Sequence, residues 1–285
     1  MSFAARIAER MAAMSPAEQR AARYFQENRE EVLIASAAVL AAKAGTSDAT
    51  VVRAAKALGF AGLDDLRRAL ADEIRTSLSP ADRLTRTLEE VAGDLPSAFA
   101  TTLDIHLRSI EALRRTVAQA AFEEAVDGIV AARRIALFGL GPSSAITGYF
   151  AIQLNRFGLD TLTLANTGLL FADDLRRLRD GDLVIMLAYG RVYSELAVLL
   201  DEVARLKLRS FLITDTLAAA LRRRVELVLP VARGRADRLS MHTGTLAFLE
   251  ALLVGIAVKR PAETTAALRA LNHAREVLAG KPTAL

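Results

Sequence analysis

The chain has 285 residues, is 52% hydrophobic and carries a formal charge of +4, so most of it is expected to fold, into two domains of ordinary size. It contains no cysteine, which excludes disulfides, thiolate metal sites and cysteine nucleophiles. Arg6, Glu9 and Arg10 interrupt the N-terminus, which does not read as a signal peptide, and Thr245–Val258 is too short and, with Glu250, too polar to span a bilayer. A soluble, cytoplasmic protein without a membrane partner is expected.

From Phe3 to about Ser79 only helical patterns occur. Ser15-Pro16-Ala17-Glu18 is a capping box with proline at the first helical position, and predicts a helix to about Gln26. Ala37–Ala44 reads as a short helix ended by Gly45. Ser47 then caps a helix over Asp48–Leu58, which stops at Gly59, and Gly62 and Asp64 open another to about Thr76. Ser79-Pro80 breaks the pattern. Two amphipathic segments, Pro96–Val117 and Ala118–Ala131, follow.

Beyond Arg133, short apolar runs alternate with helical segments. Strands are predicted at Ile135–Gly139, Thr161–Leu164, Leu183–Ala188, Ser210–Thr214 and Val225–Pro230. Helices are predicted at Ser143–Phe157, Leu169–Leu178, Tyr193–Leu206 and Leu217–Arg224. A long helix, His242–Lys259, and a last one after Pro261 close the chain. Such alternation predicts a parallel sheet covered on both faces. The expected class is therefore α/β, with an all-α domain in front. We place a helix-turn-helix domain over 1–77, a linker over 78–96 and the α/β domain over 97–285.

Residues 37–60 carry the first functional signal. A short helix, a turn at Gly45 and a second helix fit a helix-turn-helix, with Ala41 and Ala42 small enough for close packing. Val52 and Leu58 are expected to bury against Leu40, with Val51 at the edge. The outward face then carries Thr50, Arg53 and Lys56, with Ser47 at the N-terminus. Thr50 and Arg53 are placed to reach base edges of double-stranded DNA, Lys56 and Ser47 to meet phosphate. An ordinary αα-hairpin fits the same pattern. Residues 1–77 hold eleven Lys/Arg against ten Asp/Glu, but Asp48 is the only acid between Glu31 and Asp64.

The second signal is Gly139-Leu140-Gly141-Pro142-Ser143-Ser144, a glycine turn from strand to helix that suits a phosphate, with unpaired N–H groups expected at the helix start and hydroxyls from Ser143 and Ser144. A dinucleotide loop wants a third glycine where Ser144 stands, and an acid at the end of the next strand, whereas Asp160 lies at its start. A purely structural turn is the other alternative. No cofactor is expected. His106, His242 and His273 lack metal-ligand spacing, so no metal is expected either. Glu195, Glu250 and His242 qualify only loosely as a catalytic base. No catalytic residue is assigned.

Met14-Ser15-Pro16-Ala17-Glu18, residues 27–32, residues 45–53 and Leu58-Gly59-Phe60-Ala61-Gly62, in this order, resemble the N-terminal domain of RpiR-type transcriptional regulators. Residues 131–278 are similar to the sugar isomerase (SIS) domain that follows it in that family. The resemblance implies DNA binding as dimers, a three-layer domain with a five-stranded parallel sheet, and a phosphosugar pocket between the loops after the first and third strands. Gly139, Gly141, Ser143 and Ser144 match the first loop. In the second, Leu187-Ala188-Tyr189-Gly190-Arg191-Val192 stands where the family has S-x-S-G-x-T; only Gly190 fits, and three hydroxyls are missing. Arg191 could restore anion affinity or lie in solvent. Tyr189, Tyr193 and Ser194 could orient a ligand, and His242 could line the pocket. The expected function is a non-enzymatic regulator sensing a phosphorylated or otherwise anionic sugar, as a homodimer or homotetramer. The alternative is a sugar-phosphate isomerase with a helical extension.

Overall fold

The structure is a computed structural model that describes residues 3–77, 79–91, 94–235 and 237–280. It divides into two compact units, one comprising residues 1–98 with 235–240, the other residues 99–234 with 241–285.

The first unit is helical: α1 (Phe3–Arg10), α2 (Pro16–Glu27), α3 (Arg29–Ile34), α4 (Ala37–Lys43), α5 (Asp48–Ala57), α6 (Leu63–Ser77) and α7 (Pro80–Glu90). Its ends follow local chemistry. Ser15 and Glu18 form the expected reciprocal box at the start of α2, and Ser79 with Asp82 builds a second one on α7. Gly45 takes φ +60°, so the amides of Gly45 and Thr46 turn back onto the carbonyls of Ala42 and Ala41 and close α4. Phe25, Leu40, Val51, Leu58, Leu66 and Leu70 are fully buried at the centre.

α8 (Leu95–Thr116) follows, and then α9 (Gln119–Ala131). The sheet then alternates with helices: β1 (Arg134–Gly139), α10 (Pro142–Arg156), β2 (Thr161–Leu164), α11 (Phe171–Leu175), β3 (Asp182–Leu187), α12 (Ser194–Arg205), β4 (Arg209–Thr214), α13 (Ala218–Leu221), β5 (Leu227–Pro230), α14 (Thr243–Lys259) and α15 (Pro261–Ala279). All five strands are parallel, in the order β2-β1-β3-β4-β5. Alternate strand residues enter opposite cores. Ile135, Leu137, Ile185 and Phe211 pack with residues of α9, α10 and α14; Ala136, Phe138, Met186 and Leu212 pack with α11 and α12. Burial on both faces is why the strands read as unbroken apolar runs.

Two helices are shorter than their patterns predict. The Leu169–Leu178 segment breaks into a 3-10 turn, Gly168–Leu170, and α11, because Leu169 and Leu170 stay exposed with no core to pack on. Of Leu217–Arg224 only Ala218–Leu221 is helical, and the following strand starts at Leu227. No helix among the described residues is long and apolar enough to cross a membrane.

Candidate functional site

The first candidate site is the second helix of the α4–turn–α5 pair. Its inward stripe is Val51, Ala54, Ala55 and Leu58, all fully buried. This corrects two expectations. Val51, not Val52, is the core residue, and Thr50 is turned inward, only 4% exposed, instead of lying on the outer face. The physical reason is register. The i, i+3, i+4, i+7 stripe that packs on α2 and α4 runs through two alanines, whose small side chains allow the close approach.

The complementary outer stripe is Ala49, Val52, Arg53 and Lys56, with Ser47 and Asp48 at its start; of these only Val52 is partly buried. Ser47 caps the helix by accepting the Thr50 amide and lies 2.9 Å from the Thr50 hydroxyl, oxygen to oxygen. Thr50 Oγ1 in turn accepts a 2.9 Å hydrogen bond from Arg53 Nη2. Arg53 Nε also lies 3.7 Å from Glu18 Oε1. Glu18 is itself held by Ser15, whose backbone amide, more than its hydroxyl, keeps the carboxyl below its ordinary range. Thr50 is thus a support that aims Arg53 outward. Ala49 and Val52 are outer-face residues that sequence reading missed, although the 49/52/53/56 spacing signals them.

The second candidate site lies along the carboxyl ends of the strands. The sheet order reverses between β1 and β3, since β2 lies on the other side of β1, and crevices for ligands form at such a switch point. Register aligns Gly139 with Leu187, Leu187 with Ile213, and Thr214 with Pro230, so the loops after β1, β3, β4 and β5 emerge side by side.

In the first loop, a side chain on Gly139 would stand 2.7 Å from the carbonyl oxygen of Ser143, so only glycine lets the first turn of α10 approach the strand. Gly141 is the N-cap, with φ +56°, and Pro142 follows it. The expectation of free amides here needs correction. The N–H groups of Ser143 and Ser144 donate to the carbonyls of Leu140 and Gly141, and the Ser144 hydroxyl also donates to Gly141 at 2.7 Å. Turn closure uses them. Ser143 is 5% exposed.

In the second loop, the Gly190 N–H donates to Thr216 Oγ1 at 3.0 Å, which ties the loops after β3 and β4 together. Arg191 is exposed, and its guanidinium lies 4.6 Å from the Tyr193 ring centre. The Ser194 hydroxyl donates to Glu195, which also accepts the Gly168 amide. Tyr189 points inward. It is 8% exposed, and its hydroxyl lies 2.9 Å from Thr245 Oγ1 on α14.

Around Tyr189 the structure brings together His242, expected to line the pocket, with Arg233 and Asp215, which sequence reading did not single out. Arg233, just after β5, places its guanidinium carbon 4.2 Å from the Tyr189 ring centre, and its Nε donates to Asp215 Oδ2 at 3.0 Å. His242, immediately before α14, meets the Tyr189 ring edge-on at 5.6 Å. The signal for Asp215, Thr216 and Arg233 was their position: polar residues within three positions of the carboxyl ends of apolar strands in a parallel sheet. His242 Nδ1 is buried without a hydrogen-bond partner. Burial, and then the charge of Arg233, push the His242 pKa down to about 4. Its unfolded value is about 6.5. Between pH 6.5 and 4 the unfolded chain therefore binds a proton that the folded chain refuses, so stability falls as pH falls through that window. Allowing for partial exposure, His242→Phe should remove on the order of 1 kcal/mol of the stability difference between pH 7 and pH 5, read from urea midpoints. An unchanged difference would show that His242 does not titrate this way.

Among the described residues no group of histidines and carboxylates could hold a metal ion.

Comparison with known proteins follows this division. Residues 1–77 match the helix-turn-helix domain of the rpiR family, and residues 128–255 match the SIS domain. The chain is 27% identical over 274 residues to a Paraburkholderia xenovorans protein named bifunctional protein glk, matching 95% of this chain and 42% of that protein. It thus spans about two fifths of the length of the curated relatives it matches at this level. It is 25% identical to the uncharacterized HTH-type transcriptional regulator YfhH of Escherichia coli, over 77% of each chain. In fold it resembles the Vibrio vulnificus NanR protein complexed with ManNAc-6P, with a TM-score of 0.58 and 20% identity over 97% of this chain and 99% of that one. With both domain models matched in the order in which the two candidate sites occur, the chain carries the domain pair of the RpiR family, an rpiR-type helix-turn-helix domain followed by a SIS domain.

Proposed function

We propose that this chain binds operator DNA through α5 and changes its affinity for that DNA when an anionic sugar derivative occupies the carboxyl end of the sheet. The observation that carries the reading is the outer stripe of α5, where Arg53 is aimed into solvent by Thr50 and Glu18. Arg53 suits a guanine edge, Ala49 and Val52 suit thymine methyl groups, and Lys56 and Ser47 suit phosphates. Residues 1–77 are the DNA-binding domain, 78–96 the connection and 97–285 the effector domain.

A second copy of the chain supplies the second recognition helix, and the apolar stripe of Phe99, Leu103, Leu107 and Ile110, exposed on α8, supports self-association. A sensor, not an isomerase, is the reading favoured by the bonds of the two candidate carboxylate bases. Glu195 is occupied by Gly168 and Ser194, and Glu250 by Tyr149.

The test is fluorescence anisotropy of the full chain on a duplex spanning the DNA upstream of its own gene. ManNAc-6P and glucose 6-phosphate serve as effector probes. One of them should shift the affinity by roughly 5- to 150-fold, the usual range of allosteric coupling. Affinity unmoved by either, or by other anionic sugar derivatives, removes the switch.

A further inference from the structure

We propose that Arg233 is the main anion-binding group of the effector site, taking over from the hydroxyls that the loop after β3 lacks. The inference rests on the effector-sensing reading above and assigns the recognition of the ligand's oxyanion to a different strand end. The loop Leu187-Ala188-Tyr189-Gly190-Arg191-Val192 has no hydroxyl to offer but that of Tyr189, which is directed at Thr245. Arg191, the arginine on that loop, lies on Tyr193 and is exposed, so a salt-bearing solvent weakens its pull.

Arg233 differs in each respect. Its side chain is 15% exposed, and one edge is fixed by Nε on Asp215. Among the described residues, Nη1 and Nη2 donate to no acceptor. A guanidinium presents its donors as a rigid planar fork, and two adjacent amino groups match two oxygens of a carboxylate or phosphate. Burial makes such a group worth more, because the local dielectric is low. Asp215 uses one oxygen to hold the plane and offsets the cost of keeping the cation out of water. The Tyr189 ring lies against the group, and Thr245 holds Tyr189. His242, neutral at physiological pH, adds no competing cation beside it. The ligand class is a sugar derivative bearing a phosphate or carboxylate, with that oxyanion seated on the Nη edge of Arg233.

Inorganic phosphate and acetate are the probes, titrated by calorimetry into the full chain at ionic strength matched with chloride. The parent protein should bind one of them. Arg233→Gln should weaken that binding at least tenfold, Arg233→Lys less, and Arg191→Gln less than twofold. Because Arg233→Gln leaves Asp215 without its cation, the double variant Arg233→Gln, Asp215→Asn is measured alongside and should show the same loss in a chain with no uncompensated charge. Binding retained by both variants that lack Arg233, but lost in Ser143→Ala with Ser144→Ala, overturns the assignment to Arg233 and leaves the effector reading intact. Binding of neither anion by the parent protein overturns both.

Discussion

Arg53→Ala is expected to weaken binding to a specific operator by about 1–3 kcal/mol, and to weaken binding to random duplexes much less. The effect is large because the side chain is prepositioned. Arg53 Nη2 is bonded to Thr50, Nε lies beside Glu18, and Glu18 is fixed by the box that starts α2. A guanidinium held in this way loses less freedom on meeting a base than a free arginine does. Thr50→Val keeps the buried volume and deletes the anchoring hydroxyl, so it should reproduce a smaller part of the loss, about 0.5–1.5 kcal/mol. Anisotropy titrations on specific and random duplexes separate the outcomes. Equal losses on both kinds of DNA would make Arg53 a phosphate contact, and no effect of Thr50→Val would remove its positioning role.

Gly139→Ala should act in the second unit and through the backbone. The added methyl carbon would stand 2.7 Å from the Ser143 carbonyl oxygen and 2.8 Å from its carbon, both backbone atoms that cannot swing aside. The first turn of α10 must then move off the strand, at a cost of about 1–3 kcal/mol. The displaced turn carries Ser143 and Ser144, so under the proposed sensing role the response to an anionic sugar effector should fall with stability. Urea midpoints and effector titrations on the same variant test this. A chain that keeps both its midpoint and its response would show that the close approach is dispensable.

The same two regions mark what could be read from the sequence. Parallel strands buried on both faces leave continuous apolar runs, and Thr161–Leu164 forms a strand over the residues its pattern indicated. Capping chemistry is equally local, and the Ser15 box and the Gly45 turn stand where their residues imply. Register within α5 was harder. Alanine weighs little in a hydrophobic pattern, yet Ala54 and Ala55, by being small, decide which side of the helix faces the core, and that rotation turns Thr50 inward. Arg233 was hidden for a different reason. In Arg233-Gly234-Arg235-Ala236-Asp237-Arg238 it resembles a solvated charge run, and only the order of strands across the sheet sets it against Tyr189, 44 positions earlier in the chain. The amides at the start of α10 were misjudged because turn closure consumes donors that a free helix end would offer.

The most direct test is selection of binding sites by the full chain from a pool of random duplexes. The outer stripe of α5 predicts enrichment of paired half-sites one helical turn apart or a multiple of it, each with a guanine read by Arg53 next to thymines that meet Ala49 and Val52. The guanine preference should vanish in Arg53→Ala. A pool that shows no enrichment with the parent chain, or the same consensus with Arg53→Ala, would contradict the assignment of α5 as the element that reads DNA.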